Sequence, residues 1–250
     1  MVNPRRLTAQ PHGEIRRVFD DIFMVRGRFR MTGGPPIAFS RNMVIIRHDT
    51  SLTLVNSVQL SEAGLERLAE LGKVDNVIRL AGFHGADDRF YKERFGATIY
   101  AVAGQVYARG FGQNVSAKDQ YFSADVEIDE TSKLPVPGAM LETISSARPP
   151  EGLLLLEREG GILIAGDALQ NWATTDPYFN LLGKLMMRAM GFIKPFAIGP
   201  GWLKTAKPDP RDLRNILDLP FEHVLPAHGD SVIGGARGHW RKAIDALQLR

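Results

Sequence analysis

Hydrophobic and polar residues alternate with turn signals in a way that predicts many short strands and a few helices. Residues 22–29, 42–47 and 52–56 are extended, apolar-rich stretches. Gly33-Gly34-Pro35-Pro36 separates the first two as a firm turn, and His48-Asp49-Thr50-Ser51 joins the second pair as a hairpin. Helical spacing follows at Leu65, Leu68 and Leu71, opened by Ser61 as N-cap and stopped by Gly72. A second helix is expected over 87–95, with Asp87 or Asp88 at its N-cap and Gly96 after its end. Further strands are expected at 74–83, 97–103, 125–128, 139–145, 152–157 and 162–165, and around Val224. Residues 104–135 are otherwise irregular. Helices are expected at 209–217 and at 237–247, where Trp240, Ile244 and Leu247 fall on one side.

Three of these strands share a second feature. The segments Asn76-Val77-Ile78-Arg79-Leu80-Ala81-Gly82-Phe83-His84, Gly161-Ile162-Leu163-Ile164-Ala165-Gly166-Asp167 and His223-Val224-Leu225-Pro226-Ala227-His228 each run apolar, shorten to small residues, and then present a polar side chain. Such runs read as strands buried on both faces. The polar residue then stands at the strand's carboxyl end, where open α/β sheets place their ligand sites. His84, Asp167 and His228 are therefore candidates to converge on one cation.

The element order, strands first and then helices and strands in alternation, suits an α/β (α+β) architecture. Two mixed sheets packed together with helices outside, a four-layer αββα sandwich, bury these faces in one domain spanning 1–250. Within it, 172–208 reads as an apolar insertion or lid. Leu182, Leu185, Met186 and Met190 have helical spacing there and are expected to pack on the sheets. A lid, a homodimer contact through 172–203, or a surface for an apolar substrate are the alternatives, and Met-rich faces adapt to varied shapes. Lys184, Arg188 and Lys194 on its flanks would tolerate an anionic membrane surface.

Composition excludes several classes. The chain has 250 residues and a net charge of +3, an excess too small to argue for nucleic acid. No run approaches a membrane span, and the polar N-terminal stretch has no secretory apolar core. The seven early arginines, Arg5, Arg6, Arg16, Arg17, Arg26, Arg28 and Arg30, are expected on a solvated face. There is no cysteine, hence no disulfide, thiolate ligand or cysteine nucleophile, which is compatible with a reducing cytoplasm.

Leu163-Ile164-Ala165-Gly166-Asp167 and Leu225-Pro226-Ala227-His228-Gly229, in this order after antiparallel strands and a helix, resemble two motifs of the metallo-β-lactamase superfamily. The likeness runs from about Ile22 to the C-terminal helix. It implies that Asp167 stands at the bridging aspartate and His228 at the last histidine. The superfamily's H-x-H-x-D-H loop is reduced here to His84-Gly85-Ala86-Asp87-Asp88-Arg89. Aligning His84 with the first histidine puts Asp88 at the aspartate and Arg89 at the last position. Aligning it with the second puts Asp87 at the last histidine and Ala86 at the aspartate. The middle histidine's place falls near Ala147-Arg148-Pro149-Pro150-Glu151, which has none. The resemblance thus implies a diverged member with a reduced, mononuclear site of His84, Asp88, Asp167 and His228, and Glu151 as a possible extra ligand.

An imidazole and carboxylate set suits a divalent transition metal, zinc first, with iron or manganese as alternatives. Metal-assisted hydrolysis of a small-molecule ester, thioester, lactone or phosphoester follows. Asp87 or Asp88 would orient or deprotonate the water, and Arg89 and Arg148 would steer an anionic group. The rival expectations are a non-catalytic fold member without productive metal binding and an iron-binding redox relative.

Overall fold

The computed structural model describes residues 8–31, 34–108 and 120–248. Arg5, Arg6, Gly33 and part of the expected irregular region, 109–119, lie outside the described residues. In chain order the first half contributes β1 (Arg16–Phe19), β2 (Ile22–Arg30), β3 (Ala38–His48), β4 (Ser51–Val55), α1 (Glu62–Leu71), β5 (Lys73–Arg79), α2 (Asp88–Phe95), β6 (Thr98–Val102), β7 (Tyr107–Ala108), β8 (Gln120–Phe122) and β9 (Val126–Ile128). The second contributes β10 (Ala139–Ile144), β11 (Glu151–Leu156), β12 (Ile162–Ala165), β13 (Leu169–Gln170), α3 (Leu181–Ala189), β14 (Ala197–Ile198), α4 (Pro200–Ala206), α5 (Pro210–Asn215), β15 (His223–Pro226) and α6 (Ala236–Gln248).

Two main sheets result. One has the order β1-β2-β3-β4-β5-β6-β9 and the other β10-β11-β12-β15. Strands β1 to β4 are antiparallel neighbours, whereas β4, β5, β6 and β9 run parallel, with α1 and α2 as crossovers. In the second sheet β15 joins β12 in parallel.

Side-chain alternation divides the core into three apolar layers. Met43, Ile45, Leu52, Leu54 and Val77 face α1 and α2, packed against Leu65, Leu68 and Tyr91. Their neighbours Val44, Ile46, Val55 and Ile78 point the other way and meet Leu154, Leu156, Ile162, Ile164 and Leu225 between the sheets. Leu153, Leu155, Leu163 and Val224 face outward onto α4, α5 and α6 through Trp202, Leu213, Trp240 and Ile244. The continuous apolar runs of β11 and β12 are explained: both faces are covered. Each fully buried aliphatic side chain contributes about 1.5–3 kcal/mol, so a one-residue slip of a strand would exchange two cores at once and is strongly opposed. The fold is the four-layer αββα sandwich.

Some expectations shift. The strand expected to reach residue 83 stops at Arg79, leaving 80–87 as a loop. His12 is half-buried and accepts the Ser61 N–H at 2.8 Å, bracing the N-cap of α1. The helix of the 172–208 region forms, but its sides are not as expected: Gly183 and Met187 face the protein, while Leu181, Leu185 and Met190 are exposed. Among the described residues no helix is long and apolar enough to cross a membrane.

Candidate metal site

The parallel pairing of β12 with β15 sets two of the three candidate residues side by side. Ala165 is in register with Pro226, and the Ala227 N–H donates to Ala165 O at 2.9 Å. Asp167 and His228 each stand two residues past that rung, at the same end of the sheet. His84 comes from the other sheet, on the loop after β5.

Buried amides tie the sheets together beneath this end. Asn56, in a left-handed conformation (φ 54°) just after β4, accepts the N–H groups of Leu80 and Ala81 through Oδ1 at 3.1 and 3.4 Å. Asn42 on β3 donates its amide to Pro226 O at 2.9 Å and Gly229 O at 2.7 Å. Close approach also demands small residues. A Cβ on Gly166 would lie 2.5 Å from Ala81 Cβ, and one on Gly229 only 2.0 Å from Asn171 O. Glycine at 166 lets the strand ends meet; at 229 it turns the chain after His228 at φ 88°.

The three side chains converge. His84 Nε2 and His228 Nε2 are 3.1 Å apart, and Asp167 Oδ1 lies 3.6 Å from the first and 3.1 Å from the second. Ser40 O takes the Nδ1–H of His228 at 3.0 Å, which turns that ring's Nε2 lone pair inward. Trp172 packs on the same ring at a centroid distance of 4.7 Å and donates its indole N–H to Ser40 Oγ at 3.0 Å, locking the imidazole's plane. His84 Nδ1 and Asp167 Oδ2 are buried and have no hydrogen-bond partner among the described residues.

Burial pushes the His84 imidazole below its ordinary pKa, with the Asp167 charge only partly opposing it. Burial also opposes the charge on Asp167, but the two imidazoles outweigh it and hold this carboxyl well below the usual range. Glu151 goes the other way. Burial and then the Asp167 charge raise it well above a normal glutamate, while its Oε1 accepts the Ala168 N–H at 2.5 Å. Two imidazole nitrogens and a carboxylate oxygen thus crowd one small buried space, where a cation would take the place of the protons they share. Four ligands held about 2.0–2.1 Å from a tetrahedral zinc lie roughly 3.3–3.4 Å from one another. The observed separations of 3.1, 3.1 and 3.6 Å bracket that value. The residues present therefore fit a metal ion.

The other sequence candidates sit elsewhere. Asp88 is not in the cluster: it is fully buried at the start of α2, where Ser57 Oγ donates to its Oδ1 at 2.6 Å and Tyr107 to its Oδ2 at 2.5 Å. Asp87 occupies the N-cap position without a side-chain cap. Its Oδ2 instead pairs with the buried Arg41 and accepts the Gln59 N–H at 2.7 Å. Arg89 pairs with Glu93 at 2.6 Å along the exposed flank of α2. Arg148 is exposed and donates to the carbonyls of Ala147 and Ser145 in its own turn. Asn42, Asn56, Ser40 and Trp172 were not singled out as site supports from the sequence. Only Asn56 carries a local signal, an amide side chain tolerant of φ > 0 just after an apolar strand.

Fold and site together define a metallo-β-lactamase-type sandwich with an imidazole and carboxylate cluster at its strand ends. No family model and no curated protein sequence matches the chain, but solved structures do. The DIM-1 metallo-β-lactamase is 13% identical, with a TM-score of 0.64 over 95% of this chain and 100% of that one. The mono-zinc form of FIM-1 from Pseudomonas aeruginosa is 10% identical, TM-score 0.62, covering 97% and 99%. A metallo-β-lactamase from Hirschia baltica is 14% identical, TM-score 0.57, covering 92% and 97%. The chain has the metallo-β-lactamase fold.

Proposed function

We propose that this protein is a metal-dependent hydrolase of small molecules, with one zinc ion held by His84, Asp167 and His228. The observation that carries this is the convergence of two Nε2 atoms and one carboxylate oxygen, separated by 3.1–3.6 Å in a buried cluster. When bound, such an ion supplies Lewis acidity and brings the pKa of a water down toward about 7. The chain's own residues do the rest. Ser40 and Trp172 keep the His228 lone pair aimed inward. Glu151, beneath the Gly166-Asp167-Ala168 turn, holds the backbone that presents Asp167. Asp167 stays ionised and supplies the site's negative charge.

His84, Asp167 and His228 would hold the ion with three protein ligands, the number found in catalytic rather than structural zinc sites. The rival, a non-catalytic fold member without productive metal binding, draws on one observation: Asp87 and Asp88 are both engaged elsewhere, so neither is free to act as base. Metal analysis of the purified chain, followed by ester, lactone and phosphoester assays, separates them. About one equivalent of zinc with turnover that Asp167→Asn abolishes supports the hydrolase. Zinc uptake with no turnover, or no uptake at all by the parent chain, supports the rival and defeats the hydrolase.

A further inference from the structure

We propose that the outward face of α3 docks the protein on an anionic lipid bilayer. Leu181 and Leu185 are 84% and 67% exposed, more than any other large apolar side chain among the described residues, and Met190 just beyond the helix is 47% exposed. Leu181, Lys184, Leu185 and Arg188 fall at i, i+3, i+4 and i+7, so the leucines and the two cations share one face. The opposite face is anchored: Met187 packs with Trp172 and Phe179, and Asn180 caps the helix through Gly183 N–H at 2.7 Å. The apolar ridge is therefore a fixed feature of the surface.

Charge identifies the occupant. Between Asp176 and Asp209 the chain carries Lys184, Arg188, Lys194, Lys204 and Lys207 and not one acidic residue. Among the described residues none of these five makes an ion pair. The whole chain is only +3, so positive charge is concentrated on the apolar segment. A two-fold dimer through this face would set like charges against each other, which opposes self-association. A negatively charged lipid surface accepts both the leucines and the cations. Phe39 and Trp172, which pack in the same apolar cluster as Met187, both contact the His228 ring, so docking would bring the candidate metal site close to the bilayer. The docking itself does not depend on that site's chemistry.

The test is flotation of the full chain with phosphatidylcholine vesicles, with and without phosphatidylglycerol, at low and high salt. Binding is expected to the anionic vesicles, and to weaken with salt. Each cation near such a surface is worth about fivefold in affinity, so Lys184→Glu with Arg188→Glu should lose at least about twentyfold. Leu181→Asp with Leu185→Asp should lose at least about tenfold, with an unchanged melting temperature because both side chains are exposed. No flotation of the parent at low salt, equal flotation of the leucine variant, or a sedimenting dimer that the leucine variant dissolves would each overturn the proposal.

Discussion

Replacing Asp88 with asparagine separates a structural role from a metal-binding one. Its two carboxyl oxygens accept the hydroxyls of Ser57 at 2.6 Å and Tyr107 at 2.5 Å, and Arg79 lies over the Tyr107 ring at 4.0 Å. Asparagine keeps one acceptor and turns the other into an amide donor, whose second N–H is left without a partner between Ser57 and Tyr107. A buried polar group left unpaired costs about 1–3 kcal/mol. In a chain of 250 residues each kcal/mol moves Tm by about 2–4 °C, so the metal-free variant should melt about 2–12 °C lower. Zinc affinity should stay within about threefold of the parent, because both Asp88 oxygens are taken by Ser57 and Tyr107 and neither belongs to the ligand cluster. Paired thermal melts and zinc titrations read both quantities. An unchanged Tm with affinity lost by more than about tenfold would refute the reasoning and return Asp88 to the metal.

Burial raises the Asp88 pKa above its ordinary 3.8 against the pull of the Ser57 and Tyr107 hydroxyls, so the folded state holds that proton more tightly than the unfolded chain. The resulting stabilisation is complete below pH 3.8 and fades as pH rises through the folded value. Denaturant titrations should therefore show the parent's advantage over Asp88→Asn to be greatest in acid; an advantage that grows with pH contradicts the assignment. Glu151→Gln retains an acceptor for the Ala168 N–H and should keep zinc affinity close to the parent's. Glu151→Ala leaves that buried N–H unpaired, costs about 1–3 kcal/mol, and should weaken zinc as the Asp167 turn relaxes. Equal zinc affinity in the alanine variant would remove Glu151 from the support of the site.

Much of the sandwich is legible in the sequence because residues 153–156, 162–165 and 224–226 are apolar runs whose burial on two faces leaves no other role. Asp167 and His228 are legible for the same reason, since each stands two residues past its strand and parallel pairing aligns the ends, whereas His84 lies on the loop after β5. Asp88 turns to Ser57 and Tyr107 instead of the cluster, and a carboxylate at a helix start gives no sign in the sequence of which way it points. Its partners, Ser57 and Tyr107, are 31 and 19 residues away. The hold of Ser40 on His228 spans 188 residues, and no local pattern encodes it. The helical spacing of α3 announces an amphipathic helix, but which side meets the protein depends on Trp172 and Phe179 folding over Met187.

The account stands most directly on where an ion binds. Diffraction from crystals grown with zinc, measured across the zinc edge, should give one anomalous peak about 2.0–2.2 Å from His84 Nε2, His228 Nε2 and an Asp167 oxygen together. A zinc-loaded crystal with no peak there, or with its peak on other residues, would contradict it.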